Sequence, residues 1–163
     1  MAGFEDLASS VLDRCRSAGL MVATAESCTG GMVAAALTDI AGSSAVVDRG
    51  FVTYSNEAKA ELLDVPMEMI IAEGAVSEPV ARAMAEGALA HARAKLTVAL
   101  TGVAGPGGGT DAKPEGLVHF ACAREGHPTQ HARIEFGPLG RAEVRAASVR
   151  QALEMLLEMA GRK

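Results

Sequence analysis

The sequence contains no tryptophan, one tyrosine and only four phenylalanines. This scarcity excludes an interior built on large aromatic rings, although hydrophobic residues make up 49% of the chain. Alanine, valine, leucine and methionine must therefore fill the core, which favours helices packed closely on a sheet. A chain of 163 residues can bury a full core as one unit, so we expect a single domain over residues 1–163.

Basic clusters and metal-binding patterns are missing as well. The net charge is −5 and no Lys/Arg cluster occurs, which argues against nucleic-acid binding because phosphates require a positive surface. Cys15, Cys28 and Cys122 have neither metal-site nor disulfide spacing, which predicts reduced thiols, no zinc site and a cytoplasmic location. No apolar stretch is long enough to span a bilayer, and the N-terminus lacks the apolar segment of a signal peptide.

Hydrophobic periodicity predicts helices that alternate with strands in the first part of the chain and strands that pair locally near its end. Strands are expected over residues 20–25, 46–47, 51–54, 96–100, 117–123 and 132–136, with Gly50 marking a bulge. Helices are expected from Leu7 to a C-cap at Gly19, over residues 32–40, after the capping residues 55–57 and through Leu63, from the N-cap Ser77 to about residue 94, and through the apolar stripe at 149–160. This order predicts a three-layer α/β/α sandwich with a mixed central sheet.

Ser27 follows a predicted buried strand and precedes a helix that opens with Gly30 and Gly31. Open α/β sheets commonly bind ligands at such a position. Free amides at the helix start could stabilise an oxyanion, and the two glycines leave room for a substrate carbonyl. Ser27 is therefore a candidate nucleophile, and the alternative is that Ser27 or Thr29 only caps the helix.

Lys59 falls in the first turn of a helix for which Ser55, Asn56 and Glu57 supply capping residues. The positive end of the helix dipole opposes an ammonium there, and a partly desolvated lysine can act as the base for a serine. Tyr54 could orient Lys59 or relay the proton. The alternatives are a solvated lysine and a half-buried packing tyrosine. Cys28 is a rival nucleophile, but no histidine stands in a recognisable relation to it.

Residues 101–110 form a glycine-rich loop after a buried strand. Its amides could hold a phosphate or wrap a nucleotide, with Thr101 contributing a hydroxyl, or the loop could be merely flexible.

Arg141 and Arg145 lie one turn apart at the start of the last helix, where cations oppose the dipole. A bound phosphate or carboxylate would explain these two arginines, and a solvated face is the alternative.

Five segments together resemble the C-terminal domain of the competence/damage-inducible protein (CinA) family. They are TAESCTGG at 24–31, AGSS at 41–44, GFVTYSNEAK at 50–59, GAVSEPV at 74–80 and TGVAGPGG at 101–108. The similarity covers almost the whole chain. Longer family members carry a further N-terminal domain linked to pyrophosphatase activity, which we expect to be absent here.

The resemblance implies a nicotinamide-nucleotide amidase that needs no cofactor. Ser27 would attack the carboxamide of nicotinamide mononucleotide, Lys59 would activate Ser27 and Tyr54 would assist. The resemblance also implies that Arg141 reaches the nucleotide phosphate, from its own subunit or from the second subunit of a homodimer. The expected substrate-binding residues are Thr29, Gly30, Gly31, Thr101, Gly102, Gly105 and Arg141.

Three other functions stay open at the level of sequence. A non-catalytic nucleotide-binding regulatory module could keep the same fold and loops. An amidase for another small carboxamide would differ only in pocket residues that a single sequence does not locate. A kinase or phosphatase is disfavoured, because no Asp/Glu cluster suited to Mg²⁺ accompanies the glycine-rich loop.

Overall fold

A mixed five-stranded sheet forms the middle of the molecule. The computed structural model describes residues 1–163, and its strands are β1 (Val22–Glu26), β2 (Val47–Val52), β3 (Leu96–Gly102), β4 (Leu117–Arg124) and β5 (Gln130–Glu135). The spatial order is β2-β1-β3-β4-β5. β1 pairs in parallel with β2 and β3, whereas β4 runs antiparallel to β3 and β5.

Six helices cover the two faces of this sheet. They are α1 (Glu5–Ala18), α2 (Met32–Thr38), α3 (Asn56–Leu63), α4 (Met67–Glu73), α5 (Glu78–His91) and α6 (Arg141–Ala160). The apolar faces of α1, α2 and α6 form one core with the sheet, and those of α3, α4 and α5 form a second core. The predicted three-layer α/β/α sandwich with a mixed sheet is thus confirmed.

The structure departs from the predicted elements in a few places. α4 and a 3-10 turn at Ser43–Ala45 were not predicted, and α4 is hard to detect because Ile70 is its only buried residue. The two β-rich pieces around Gly50 form one continuous strand. α2 and α5 end at Thr38 and His91, slightly before the predicted limits.

The bulge predicted at Gly50 lies two residues earlier in β2, at Asp48. Val47 pairs with Val22 and Arg49 pairs with Ala23, which leaves Asp48 as the extra residue, and Gly50 pairs normally with Thr24. A side chain at residue 50 would begin 2.9 Å from Thr24 Oγ1 and 3.2 Å from Ala34 Cβ. The glycine therefore lets α2 approach the sheet closely.

The carboxyl ends of β1, β2 and β3 lie at one edge of the sheet because the three strands are parallel. β1 lies between the other two, and its chain continues into α2 on one face while β2 continues into α3 on the opposite face. A crevice forms at such a divergence, where doubly wound sheets bind ligands. None of the helices has the length and apolarity needed to cross a membrane.

Candidate active site

Ser27 directly follows β1 and is nearly buried, with 9% of its surface exposed. Its N–H donates to Leu100 O (3.1 Å), and its carbonyl accepts from Gly30 N–H (3.0 Å), which closes a tight turn. The residue at the N-cap of α2 is Gly31, and no side chain caps the helix from that position. The alternative in which Ser27 or Thr29 occupies the N-cap is therefore wrong.

Glu26, the last residue of β1, accepts hydrogen bonds from amides in the first turn of α2. Its buried carboxylate accepts from Val33 N–H (2.8 Å) and Ala34 N–H (3.0 Å), and from the hydroxyls of Thr29 (2.7 Å) and Thr24 (3.3 Å). Negative charge is favourable at a helix start. The amides of Val33 and Ala34 are thus engaged by Glu26 and are not free to hold an oxyanion, contrary to the sequence expectation for the helix start.

Sequence reasoning did not identify Glu26 as a residue of this site. Glu26 directly follows the strand predicted over residues 20–25, where an acidic side chain is ordinarily solvated. The available signal was a carboxylate seven residues before Val33, directly ahead of the turn that leads into α2. A turn can bring such a residue back over the helix start, but sequence spacing does not reveal that return.

Lys59 is fully buried in the first part of α3, with 1% of its surface exposed. The predicted cap is confirmed, because Ser55 Oγ accepts from Ala58 N–H (3.0 Å). Lys59 Nζ lies 3.0 Å from Ser27 Oγ and donates to Thr53 O (2.9 Å) and Tyr54 O (3.2 Å). The alternative of a solvated lysine is therefore wrong.

The surroundings of Lys59 favour its neutral amine. Burial lowers the pKa of Lys59, and a nearby negative charge on Cys28 would oppose this effect only in part. No carboxylate forms an ion pair with Lys59. A neutral amine has two N–H groups and one lone pair. If the two carbonyls accept both N–H groups, the lone pair remains for the Ser27 hydroxyl.

Tyr54 contributes its backbone rather than its ring to this pair. The side chain is 64% exposed, so it is not a half-buried packing residue. The phenol oxygen lies 3.4 Å from Arg141 Nη2 and forms no hydrogen bond to Lys59. The structure therefore places the Tyr54 ring at the mouth of the site and its carbonyl against Lys59 Nζ.

A pocket of about 240 Å³ opens over Ser27 and Lys59. Thr101 and Gly102, two of the expected substrate-binding residues, line it, and the Thr101 hydroxyl donates to Ala75 O (3.0 Å). No acidic side chain lines the pocket. The remaining lining residues are Cys28, Tyr54, Asn56, Ala75, Val76, Ala104 and Arg141.

The other predicted binding residues lie around the pocket rather than in its wall. Thr29, Gly30 and Gly31 form the turn after Ser27, and the Thr29 hydroxyl is engaged by Glu26. Gly105 presents its carbonyl to Arg141 Nη1 at 2.9 Å. Arg141 itself lines the pocket of its own chain, and is the only basic side chain there besides Lys59.

Cys28 lines the pocket beside Ser27 but remains a buried thiol. Burial is the main cause that raises the pKa of Cys28 to about 11, whereas the thiolate is the nucleophilic form. No histidine contacts Cys28. This environment favours Ser27 over Cys28 as the reactive group.

A chain of titratable side chains lies outside the pocket, on the face covered by α5. His131 Nδ1 is 3.0 Å from Glu78 Oε1, and His131 Nε2 is 2.9 Å from His119 Nδ1. Because an ionised carboxylate only accepts, His131 donates from Nδ1 and accepts at Nε2 from His119. Burial is the main cause that lowers the pKa of His119 to about 4, and repulsion from His131 in its protonated form lowers it further.

No group of three His, Cys, Asp or Glu side chains is arranged to hold a metal ion.

The low pKa of His119 predicts a loss of stability in mild acid. The unfolded chain protonates this residue near pH 6.5, whereas the folded chain does so only near pH 4. The free energy of unfolding should therefore fall as the pH drops through this window, by on the order of 1–3 kcal/mol. Urea unfolding at several pH values should show a weaker dependence for His119→Gln than for the control His127→Gln. Equal dependence in both variants would contradict this assignment.

Comparison with known proteins gives one consistent family. The sequence profile described as the CinA C-terminal domain matches residues 4–160. The competence/damage inducible protein CihA from Agrobacterium tumefaciens is 52% identical, with a TM-score of 0.95 over 98% of this chain and 96% of that one. The competence damage-inducible protein A from Klebsiella pneumoniae is 40% identical, with a TM-score of 0.91 over 98% of each chain.

Curated relatives agree with the solved structures but are longer. A CinA-like protein from Mycolicibacterium gilvum is 55% identical over 85% of this chain and 33% of its own length. One from Anaeromyxobacter dehalogenans is 49% identical over 94% of this chain and 37% of its own length. The chain therefore spans about a third of the length of these relatives.

Proposed function

The chain belongs to the CinA C-terminal domain family, and from this premise we propose that it is a serine amidase that hydrolyses nicotinamide mononucleotide. The products are nicotinate mononucleotide and ammonia, which places the enzyme in pyridine nucleotide recycling. The observation that carries the proposal is the 3.0 Å approach of Lys59 Nζ to Ser27 Oγ in a buried pocket. Serine and lysine paired in this way form a known variant of the serine catalytic triad.

The chemistry follows from the lone pair of Lys59. Neutral Lys59 takes the proton of Ser27 while Oγ attacks the carboxamide carbon, and the resulting ammonium returns that proton to the departing amine. Ammonia leaves and an acyl ester remains on Ser27. A water molecule, deprotonated by Lys59, then adds to the ester carbon, and the carboxylate departs as Ser27 regains its proton.

The backbone amide of Cys28 supplies a donor for the oxyanion in this mechanism. The N–H of Cys28 has no acceptor in another residue, and Cys28 lines the pocket. Serine hydrolases on α/β sheets use the amide that follows the nucleophile for this purpose. Thr29, Gly30 and Gly31 contribute by giving the turn its shape, since none of them lines the pocket.

The pocket suits one aromatic ring with its carboxamide better than a whole nucleotide. Its 240 Å³ is small compared with pockets that enclose drug-sized ligands. We place the pyridine ring beside Thr101 and Gly102, with the ribose and phosphate directed outward. Arg141, held at the mouth by the Gly105 carbonyl and close to the Tyr54 hydroxyl, would then meet the phosphate.

A homodimer stays a prediction from the family resemblance. Arg141 lines the pocket of its own chain in the structure, so substrate contact does not require a second subunit. Gel filtration with light scattering would establish the number of subunits.

Ammonia release tests the proposed reaction directly. Purified protein should convert nicotinamide mononucleotide to nicotinate mononucleotide, with one ammonia released per turnover. Cys28→Ala should keep the rate within about threefold, because a thiol with a raised pKa takes no part in the attack. Binding of the nucleotide without turnover would favour the regulatory module, and turnover of only another carboxamide would change the substrate alone. Loss of all activity in a folded Cys28→Ala would overturn Ser27 as nucleophile.

A further inference from the structure

Arg145 connects α6 to the turn that carries Ser27. Its Nε donates to Cys28 O (3.1 Å), and its Nη2 lies 3.3 Å from Thr29 O. The side chain is partly buried and forms no ion pair with any carboxylate. The guanidinium is therefore engaged by two consecutive carbonyls of the Ser27 turn.

These two hydrogen bonds fix the orientation of the peptide planes after Ser27. In a trans peptide the carbonyl and the N–H point in opposite directions. Arg145 holds the Cys28 and Thr29 carbonyls on the α6 side. The N–H groups of the same peptide units, which belong to Thr29 and Gly30, therefore face away from α6. Besides Arg145, the Gly30 N–H to Ser27 O and Met32 N–H to Thr29 O bonds close the turn, the Thr29 hydroxyl donates to Glu26, and the Ser27 N–H to Leu100 O bond joins the turn to the sheet.

The surroundings of Gly30 fit the same arrangement. Gly30 adopts φ +59°, and the atom nearest to a side chain built there would be Arg145 Nη2, at 3.7 Å. The guanidinium thus packs directly against the backbone of the turn. Arg141, one helical turn earlier, differs because it lines the pocket, whereas Arg145 does not.

We infer that Arg145 is a positioning residue, which holds the Cys28 and Thr29 carbonyls so that the Ser27 hydroxyl stays within reach of Lys59 Nζ. The inference rests on the proposed amidase function. It excludes the role of a substrate anion ligand that the sequence left open for Arg145. A misplacement of the turn by about 1 Å is enough to cost on the order of 100-fold in rate.

Kinetics of Arg145→Met and Arg145→Lys test the inference, with Arg150→Met as the matched control. Arg150 lies on the same helix, but its guanidinium contacts Gly3 O and the Phe4 ring, away from the pocket. We expect Arg145→Met to lower kcat by about 10–100-fold with KM unchanged. Arg145→Lys should recover only part of the loss, because an ammonium lacks the planar fork that reaches two acceptors. Arg150→Met should keep the full kcat.

A second measurement separates this inference from the proposed substrate. The rate at which a fluorophosphonate labels Ser27, followed by intact mass with Ser27→Ala as the blank, reports the reactivity of Ser27 without any carboxamide. Labelling of the wild-type protein without turnover of nicotinamide mononucleotide would remove the proposed substrate, and slower labelling of Arg145→Met would still support the positioning role. Three results for Arg145→Met would overturn the positioning role. They are a labelling rate equal to that of the wild-type protein, a raised KM with unchanged kcat, and an activity loss that only follows the unfolded fraction. Failure of the wild-type protein to label would also overturn it.

Discussion

Lys59→Met is expected to lower the rate of ammonia release by about 10³-fold or more while the protein stays folded. General bases contribute about 10²–10⁴-fold, and loss of one member of a catalytic unit usually costs most of the total effect. Methionine fills a similar volume without a charge, which removes the cost of burying the amine. The Thr53 and Tyr54 carbonyls lose their donor, which acts in the opposite direction. We therefore expect the free energy of unfolding to change by less than about 2 kcal/mol.

Ser27→Ala is the matched control for Lys59→Met. The two variants should lose similar activity, and the double variant should be no slower than either one, because the residues act as a unit. The wild-type pH profile gives an independent check. Since the pKa of Lys59 is lowered by burial, kcat/KM should rise with pH and level off below the ordinary pKa of lysine, about 10.4. A Lys59→Met variant that keeps a tenth of the wild-type rate would contradict the assignment.

Glu26→Ala is expected to destabilise the fold by about 3–5 kcal/mol. The change would leave two amides and two hydroxyls without their acceptor in a buried site, and an unsatisfied buried group costs about 1 kcal/mol at the low end of the usual range. Glu26→Gln keeps the shape and one acceptor oxygen, so we expect a smaller loss of about 1–2 kcal/mol. Urea unfolding at pH 7 measures both.

Glu57→Ala provides the control for this substitution. Glu57 is an exposed acidic residue in the first turn of α3, so its removal should change the free energy of unfolding by less than about 0.5 kcal/mol. A Glu26→Ala loss no larger than that of Glu57→Ala would mean that the carboxylate does not hold the start of α2.

The elements that the sequence predicted well are those with a strong local signal. The Ser55 and Ser77 caps, the Gly19 helix end and the buried strand β3 each leave a clear pattern in neighbouring residues. α4 escaped prediction because seven residues with one buried side chain carry almost no periodicity. Local physics therefore accounts for most of the sheet and the long helices.

The candidate site depends on contacts between residues distant in sequence, and its prediction was correspondingly incomplete. Ser27 and Lys59 were identified through motifs, and their 3.0 Å approach joins the turn after β1 to the helix α3 that follows the neighbouring strand β2. Glu26 and Arg145 were missed as partners of the Ser27 turn because each reaches it through tertiary packing. For Tyr54, spacing did not reveal that its carbonyl, rather than its phenol, faces Lys59.

The contact between Arg145 and the Ser27 turn also fixes an order of events during synthesis. Cys28 and Arg145 are 117 positions apart, so a ribosome makes Ser27, Lys59 and most of the sheet long before it makes α6. Contacts this distant form only after the intervening chain has collapsed. A growing polypeptide can therefore gather Ser27 and Lys59 early, but the turn receives its last two hydrogen bonds only when the final helix emerges and docks.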